Sequence, residues 1–479
     1  MKTYVPPPGS IPTLDVPDLS GVRTVHLVGV GGAGMSGLAR LLLARGVRVS
    51  GSDLKESVPL VQLRALGADA RVGHAAANVE RPDAVIVSTA ISRDNPELVE
   101  ARRRGIPVLA RAQVLAAMMR GQRAVAVAGT HGKTSTTSML ALILERAGLD
   151  PTYLVGGDLN ESGSNARSGR GDVFVAEADE SDGSFLLLEP ELTVVTNVED
   201  DHLDFYPTRD DIEGAFTAFC RRARLVVACA DDAGARRVIE AAGSPVRWYG
   251  ESDDAAIRVE DPSSTLERSR ATLRISGPSL EPWRGELDLP VPGRQYLSNA
   301  AAAIGAAAEL GVPPVASVEA LRDFGGVRRR WEHRGESRGA MFVDDYAHHP
   351  TEIEATLATA RADGGNRVVA VFQPHRYSRT AALWRELGES LAGADVVVVT
   401  DVYGAGELPV PGVTGKLLVD SLVEAAPSKR AVYLPRRGDV APFLAREVRP
   451  GDLVLTLGAG DITMVGDEAL ALLRGPDAS

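Results

Sequence analysis

The chain has 479 residues, 44% of them hydrophobic, 24% charged and only 5% aromatic, with a formal net charge of −12. That length exceeds one hydrophobic core and predicts about three domains, and the negative balance without a broad basic face excludes a nucleic-acid or membrane-surface role. No apolar run reaches transmembrane length.

Residues 1–20 are rich in Pro and Asp and do not read as a signal peptide. From about residue 23 to 119, short apolar runs alternate with amphipathic stretches, the mark of βαβ units. Strands are predicted at 24–28, 48–52 and 84–88, with helices at 35–45 and 58–66. Gly29, Gly31, Gly32 and Gly34 follow the first strand and open the first helix, in the pattern of a dinucleotide-type phosphate loop. Asp53 falls 24 residues after Gly29, near where a ribose-binding acid belongs. Taken alone, this loop suits NAD or any pyrophosphate-linked nucleotide, including a UDP-sugar. Ser88 and Thr89 end the next strand and are placed to face the same crevice.

A Gly-containing hinge at 120–122 leads into a second α/β unit running to about residue 322. There an apolar run, 123–128, stops at Gly129-Thr130-His131-Gly132-Lys133-Thr134-Ser135, and a helix-like stretch follows. Glycines let backbone N–H groups close on phosphate oxygens, and the helix N-terminus adds partial positive charge. Lys133 is positioned for terminal phosphates and the hydroxyl after it for Mg²⁺. The loop is shorter than the usual pattern, with Val127 where a glycine is expected. A plain strand-to-helix turn would need no Gly-Lys-Thr-Ser.

Two further strand ends, at 172–177 and 192–197, are rich in acids. Glu177, Asp179, Glu180 and Asp182 lie within six residues, then Glu199, Asp200, Asp201, His202 and Asp204 follow. Such crowded carboxylates repel one another unless a cation gathers some of them, and with phosphate oxygens nearby they suit Mg²⁺. The region 255–289 alternates Val, Ile and Leu and predicts an antiparallel flank, followed by an Ala-rich helix at 298–310. Cys220 and Cys229 sit in or beside apolar runs at no metal-ligand spacing, and read as reduced core residues of a soluble, cytoplasmic protein.

Gly325-Gly326 marks a second hinge, and strands at 341–343, 367–372, 395–401 and 452–457 alternate with helices to the end. Arg328-Arg329-Arg330 stands at this junction, where it reads as a solvated basic run or as a guanidinium fork for phosphate. Asp344-Asp345-Tyr346-Ala347-His348-His349-Pro350 and Phe372-Gln373-Pro374-His375-Arg376-Tyr377-Ser378-Arg379 end two strands and carry the remaining candidate site residues.

Taken together and in this order, these segments resemble the Mur ligases, ATP-dependent amino-acid-adding enzymes of peptidoglycan synthesis. The resemblance runs from the first glycine loop to Gly458-Ala459-Gly460-Asp461. It implies an α/β fold of three domains. Residues 1–119 would form a Rossmann-like UDP-substrate domain, 120–322 a P-loop ATPase-type domain, and 323–479 a Rossmann-like domain that closes on ATP and the amino acid. The implied substrates are UDP-N-acetylmuramate, L-alanine and ATP, with Mg²⁺ as cofactor, acting in a monomer or homodimer. By motif match, Lys133 would contact the transferring phosphate, and Thr134, Glu177 and His202 would surround the metal. Gly129 to Ser135, Asn299, Arg330 and Asp345 would hold ATP, with Lys133, His202 and Arg330 catalytic. Gly29, Gly31, Gly32, Gly34, Asp53, Ser88 and Thr89 would hold the UDP substrate. His348, His375, Arg376 and Arg379 would face the muramoyl carboxylate and the amino acid. The chain departs from the family pattern at Gln295 and Tyr296, where His and Asn are usual. It has no lysine between His202 and Arg224, so no carbamylated lysine is expected.

Overall fold

A computed structural model describes residues 15–158, 160, 163–203, 205–278 and 280–475. Most of the Pro-rich opening stretch and Asp204 therefore lie outside the described residues. Three sheets follow one another along the chain.

The first is built from β1 (Thr24–Val28), β2 (Arg48–Asp53), β3 (Asp69–Val72), β4 (Ala84–Val87) and β5 (Val108–Ala110), all parallel, in the order 3-2-1-4-5. β1 and β4 are apolar almost throughout and buried on both faces, as a helix-covered parallel sheet requires. β3 was not expected from sequence. It is short, partly exposed and carries Asp69 and Arg71, so its alternation is too weak to read.

The second sheet has ten strands: β6 (Arg123–Ala128), β7 (Thr152–Leu154), β8 (Ala166–Arg167), β9 (Val173–Glu177), β10 (Leu192–Val195), β11 (Leu225–Cys229), β12 (Val246–Gly250), β13 (Ile257–Ser264), β14 (Ser269–Ile275) and β15 (Trp283–Leu289). Its order is 15-14-13-12-11-10-6-9-7-8. The predicted antiparallel flank is present: β13, β14 and β15 pair antiparallel and extend the parallel core. The Ala-rich helix spans Arg294–Glu309, four residues longer at its start than the sequence pattern suggested. Gly293, at φ 115°, turns the chain into it, and Tyr296 and Leu297 are already buried. Cys220 and Cys229 are free and buried.

The third sheet holds β16 (Glu332–Ser337), β17 (Ala340–Asp345), β18 (Arg367–Phe372), β19 (Val396–Val399), β20 (Arg430–Tyr433) and β21 (Asp452–Leu457), in the order 16-17-21-18-19-20 with only β16 antiparallel. Gly121 and Gly326, in the two predicted hinges, both take left-handed backbone at φ 76° and 84°. No helix among the described residues is long and apolar enough to cross a membrane.

Residues at or just beyond the carboxyl ends of β1, β4, β6, β9 and β17 line a common cleft. In open α/β sheets, ligands bind beyond the carboxyl ends of the strands where the strand order reverses. β1 lies between β2 and β4, and β6 between β9 and β10, so both glycine loops leave from such points.

Candidate active site

The second glycine loop is knitted to the end of β10. The Thr130 N–H donates to the Asn197 carbonyl at 3.1 Å, and the His131 N–H to Asn197 Oδ1 at 2.8 Å. Gly132 is left-handed at φ 77°, and a Cβ there would stand 2.6 Å from Asn299 Oδ1, so only glycine lets the loop pass so close. The helix Lys133–Arg146 then starts with no side-chain cap. An uncapped helix start lined by glycines is a ready anion site.

Lys133 folds back over this loop. Its Nζ donates to the carbonyls of Gly129 and Thr130 and to both carboxylate oxygens of Glu180, each 2.9 Å away. Glu180 is fully buried. Burial opposes the charge on Lys133, but Glu180, Asp179 and Glu177 outweigh it and hold its pKa above the ordinary lysine value. A buried carboxylate thus holds the ammonium at the loop.

β9 aligns Glu177 with Val127, two residues before the loop. Its Oε1 accepts the Gly156 N–H at 2.7 Å. Burial lifts the Glu177 pKa above its ordinary range, so a nearby cation would stabilise the ionised form. The Thr134 hydroxyl and this carboxyl line one cleft, and hard oxygen donors of this kind suit Mg²⁺. His202, at φ 53°, lines the same cleft with Nε2 3.6 Å from Glu180 and 3.6 Å from Asp201.

That cleft measures about 980 Å³ and touches all three domains. At one end lie Gly29, Gly31, Gly32, Gly34, Asp53, Ser88 and Thr89, the complete set predicted for the UDP substrate. Asp53 accepts the Gly31 N–H at 2.9 Å, and the N–H groups of Gly29 and Val30 donate to the Ser52 carbonyl. Arg111 stands beside Gly34 and 3.5 Å from Asp179, a cation between the two loops that sequence reasoning missed. It arrives at the start of the helix Arg111–Met119, and no motif marks it.

A second cavity of about 250 Å³ opens beside the helix start, lined by Gly132, Ser135, Asn299, Tyr249, Gln295, Tyr296, Arg330 and Asp345 among others. Gln295 and Tyr296, the two departures from the family pattern, thus sit on its wall with Asn299. Asp345 accepts the N–H groups of Trp331 and Ala347, each at 2.8 Å. Burial raises the Asp345 pKa to about 6 despite Arg330 nearby.

The arginine run divides its work. Arg329 reaches Asp344 at 3.2 Å and the Gly458 carbonyl at 2.6 Å, and so braces the third domain internally. Arg330 turns to the site, 3.1 Å from Glu352 and stacked over Tyr346. Glu352 also meets His348 Nδ1 at 3.0 Å and His131 Nδ1 at 3.4 Å, which makes it a hub between two domains. The sequence offered one cue to it, the (i, i+4) spacing from His348 into the first turn of Pro350–Ala360.

Of the four residues predicted for the muramoyl and amino-acid groups, His348 and His375 stand edge to face with ring centroids 6.1 Å apart. His348 lines the large cleft. Arg376 and Arg379 border a small adjoining cavity with Asp201 and His202. Arg379 is buried in a two-pronged pair with Asp201, at 2.9 and 3.0 Å, which joins the third domain to the second. That pair and His202 hold the Asp201 carboxyl well below the usual range in spite of its burial. His375 stacks on Tyr403, with ring centroids 5.8 Å apart.

Family models match three consecutive segments of the chain: "Mur ligase family, catalytic domain" over 24–123, "Mur ligase middle domain" over 127–307, and "Mur ligase, glutamate ligase domain" over 329–460. The chain belongs to the Mur ligase family. It is 52% identical over 463 residues to a UDP-N-acetylmuramate–L-alanine ligase of Saccharopolyspora erythraea, covering 94% of this chain and 93% of that one. A protein of the same name from Pelotomaculum thermopropionicum is 46% identical, covering 94% of this chain and 98% of its own. Among solved structures, the UDP-N-acetylmuramate–alanine ligase of Thermotoga maritima superposes with a TM-score of 0.78 at 32% identity, over 93% of this chain and 98% of that one. A murein peptide ligase of Psychrobacter arcticus gives 0.72 at 25% identity, over 96% and 100%. The three-domain α/β architecture expected from sequence is the one found.

Proposed function

We propose that this Mur ligase joins L-alanine to the carboxylate of UDP-N-acetylmuramate at the expense of ATP, in peptidoglycan precursor synthesis. The observation that carries the reading is the single cleft in which the Gly29–Gly34 loop, the Gly129–Ser135 loop and the third domain's Arg330 and His348 meet. High identity to alanine-adding ligases along nearly the whole chain supports the choice of amino acid.

A carboxylate does not form an amide directly, because hydroxide is a poor leaving group. The muramoyl carboxylate oxygen attacks the γ-phosphorus of ATP, the bond to the β-phosphate oxygen breaks, and an acyl phosphate and ADP result. The alanine amine then attacks the acyl carbon, and phosphate leaves with the carboxylate-derived oxygen. Phosphoryl transfer of this kind depends on positioning and charge neutralisation. Lys133 leaves Glu180 for the transferring phosphate, and Arg330 supplies charge from the third domain. Asn299, Tyr296 and Gln295 form the adenine wall, with Asp345 beside them. Thr134, Glu177 and His202 would hold Mg²⁺, which would supply neutralisation of phosphate charge. Gly29, Gly31, Gly32, Gly34, Asp53, Ser88 and Thr89 hold the UDP group as a handle, and Arg111 bridges from its phosphates toward the reacting end. Domain limits at residues 119/120 and 322/323 put one loop on each side of the first hinge. Closure of the third domain shields the acyl phosphate from water.

Phosphate release with L-alanine, glycine, L-serine and a preformed tripeptide tests the reading. The expected order puts L-alanine first, and tripeptide as the preferred acceptor would overturn it in favour of a recycling ligase.

A further inference from the structure

His131 of the phosphate loop, Glu199 beyond β10 and His349 of the third domain converge at the domain junction. His131 Nε2 lies 3.1 Å from His349 Nδ1 and 3.6 Å from Glu199 Oε2, and His349 Nδ1 lies 3.7 Å from that same oxygen. A tetrahedral ion bound at about 2.0–2.1 Å sets its ligands roughly 3.3–3.4 Å apart. The three observed separations bracket that value. Both histidines are buried.

The groups behind them are arranged as a metal's ligands require. The far nitrogen of His131, Nδ1, faces Glu352 at 3.4 Å. The far nitrogen of His349, Nε2, faces the Asp200 carbonyl at 3.3 Å. An acceptor on the far side fixes the proton there and turns the other nitrogen's lone pair inward. Glu199 is itself oriented by the Thr351 hydroxyl at 2.6 Å.

We propose that His131, Glu199 and His349 form a binding site for a divalent transition metal of the zinc class, separate from the oxygen-donor site of Thr134 and Glu177. Two imidazoles and one carboxylate are the donor set of three-ligand zinc centres, with a fourth position left for water or a ligand oxygen. Mg²⁺, which prefers oxygen and keeps its waters, is poorly served by it. Two ligands come from the second domain and one from the third, so the ion pins the phosphate loop to the third domain. The competing arrangement is a proton shared between the two imidazoles. The site does not depend on the substrate assignment.

The test is titration of the full-length, chelator-treated and nucleotide-free protein with Co²⁺, followed by its visible absorption. Intense bands of tetrahedral cobalt saturating at one equivalent are expected. They should weaken at least 100-fold in apparent affinity in His349→Gln and persist in His202→Ala. Absence of tetrahedral bands, persistence in His349→Gln, or loss in His202→Ala would each overturn the proposal. Should His349→Gln not fold, X-ray absorption of the wild-type zinc adduct decides: two imidazoles in the shell are required, and fewer contradict the site.

Discussion

The two glycine loops look alike in sequence and are completed in different ways. In the first, the loop's donors are taken up within its own domain, Gly31 by Asp53 and Gly29 by the Ser52 carbonyl. In the second, the loop's charged groups are answered partly from its own domain and partly from the third. Lys133 is held by Glu180 at the next acidic strand end, and His131 meets Glu352 and His349 of the third domain. A self-contained loop suits a group that is held and released unchanged. A loop whose charges are balanced partly from another domain suits one that is cleaved, because those partners can be exchanged for phosphate as the domains close.

Breaking the second loop has the largest expected effect. Lys133→Ala removes the group proposed to meet the transferring phosphate and leaves Glu180 buried without its cation. It should lower kcat by on the order of 1,000-fold, with the KM for the UDP substrate little changed, as read by steady-state phosphate release. Arg379→Ala comes next, since it strips buried Asp201 of its guanidinium partner at the domain junction, a cost of about 3–5 kcal/mol. The expected result is a larger radius of gyration by solution scattering and a kcat reduced on the order of 100-fold by poorer closure. Asp53→Ala strikes the first loop, and should raise the KM for the UDP substrate about tenfold, equivalent to about 1.4 kcal/mol of binding, while kcat holds.

The smallest effect on activity concerns what lies beneath the first loop. Glu97 is buried and accepts from Ser52 Oγ at 2.6 Å and from Asn78. Burial opposes its charge, but His26, Ser52 and Asn78 outweigh it and bring its pKa to about 2 from the ordinary 4.5. Its stabilising contribution is therefore fully present above pH 4.5 and disappears as pH falls through about 2. Glu97→Gln should cost about 2 kcal/mol at pH 7. The gap to wild type should narrow in denaturant melts as pH falls from 4.5 toward 2.

Both loops were legible because glycine spacing after an apolar run has a direct backbone meaning, and β9 and β10 were legible because Val-rich runs end abruptly in acids. Glu177 was singled out from its acidic run, whereas Glu180, which grips Lys133, was not. Sequence gives no sign of which carboxylate of a turn faces inward. The Asp201–Arg379 pair spans 178 residues, and no local pattern announces a contact made only when two domains meet. Arg379 was read as facing the substrate, and its pairing with Asp201 across the domain junction went unforeseen. Gln295 and Tyr296 looked like losses against the family pattern, yet the early start of Arg294–Glu309 brings both to the cavity wall beside Asn299.

The central claim is that the second loop activates a carboxylate held by the first. It is tested most directly by UDP-N-acetylmuramate carrying ¹⁸O at both carboxylate oxygens, turned over with ATP and L-alanine, with the released phosphate examined by mass spectrometry. One ¹⁸O in each phosphate is the predicted result. Phosphate free of the label would mean that ATP is cleaved by water and that the carboxylate is never phosphorylated.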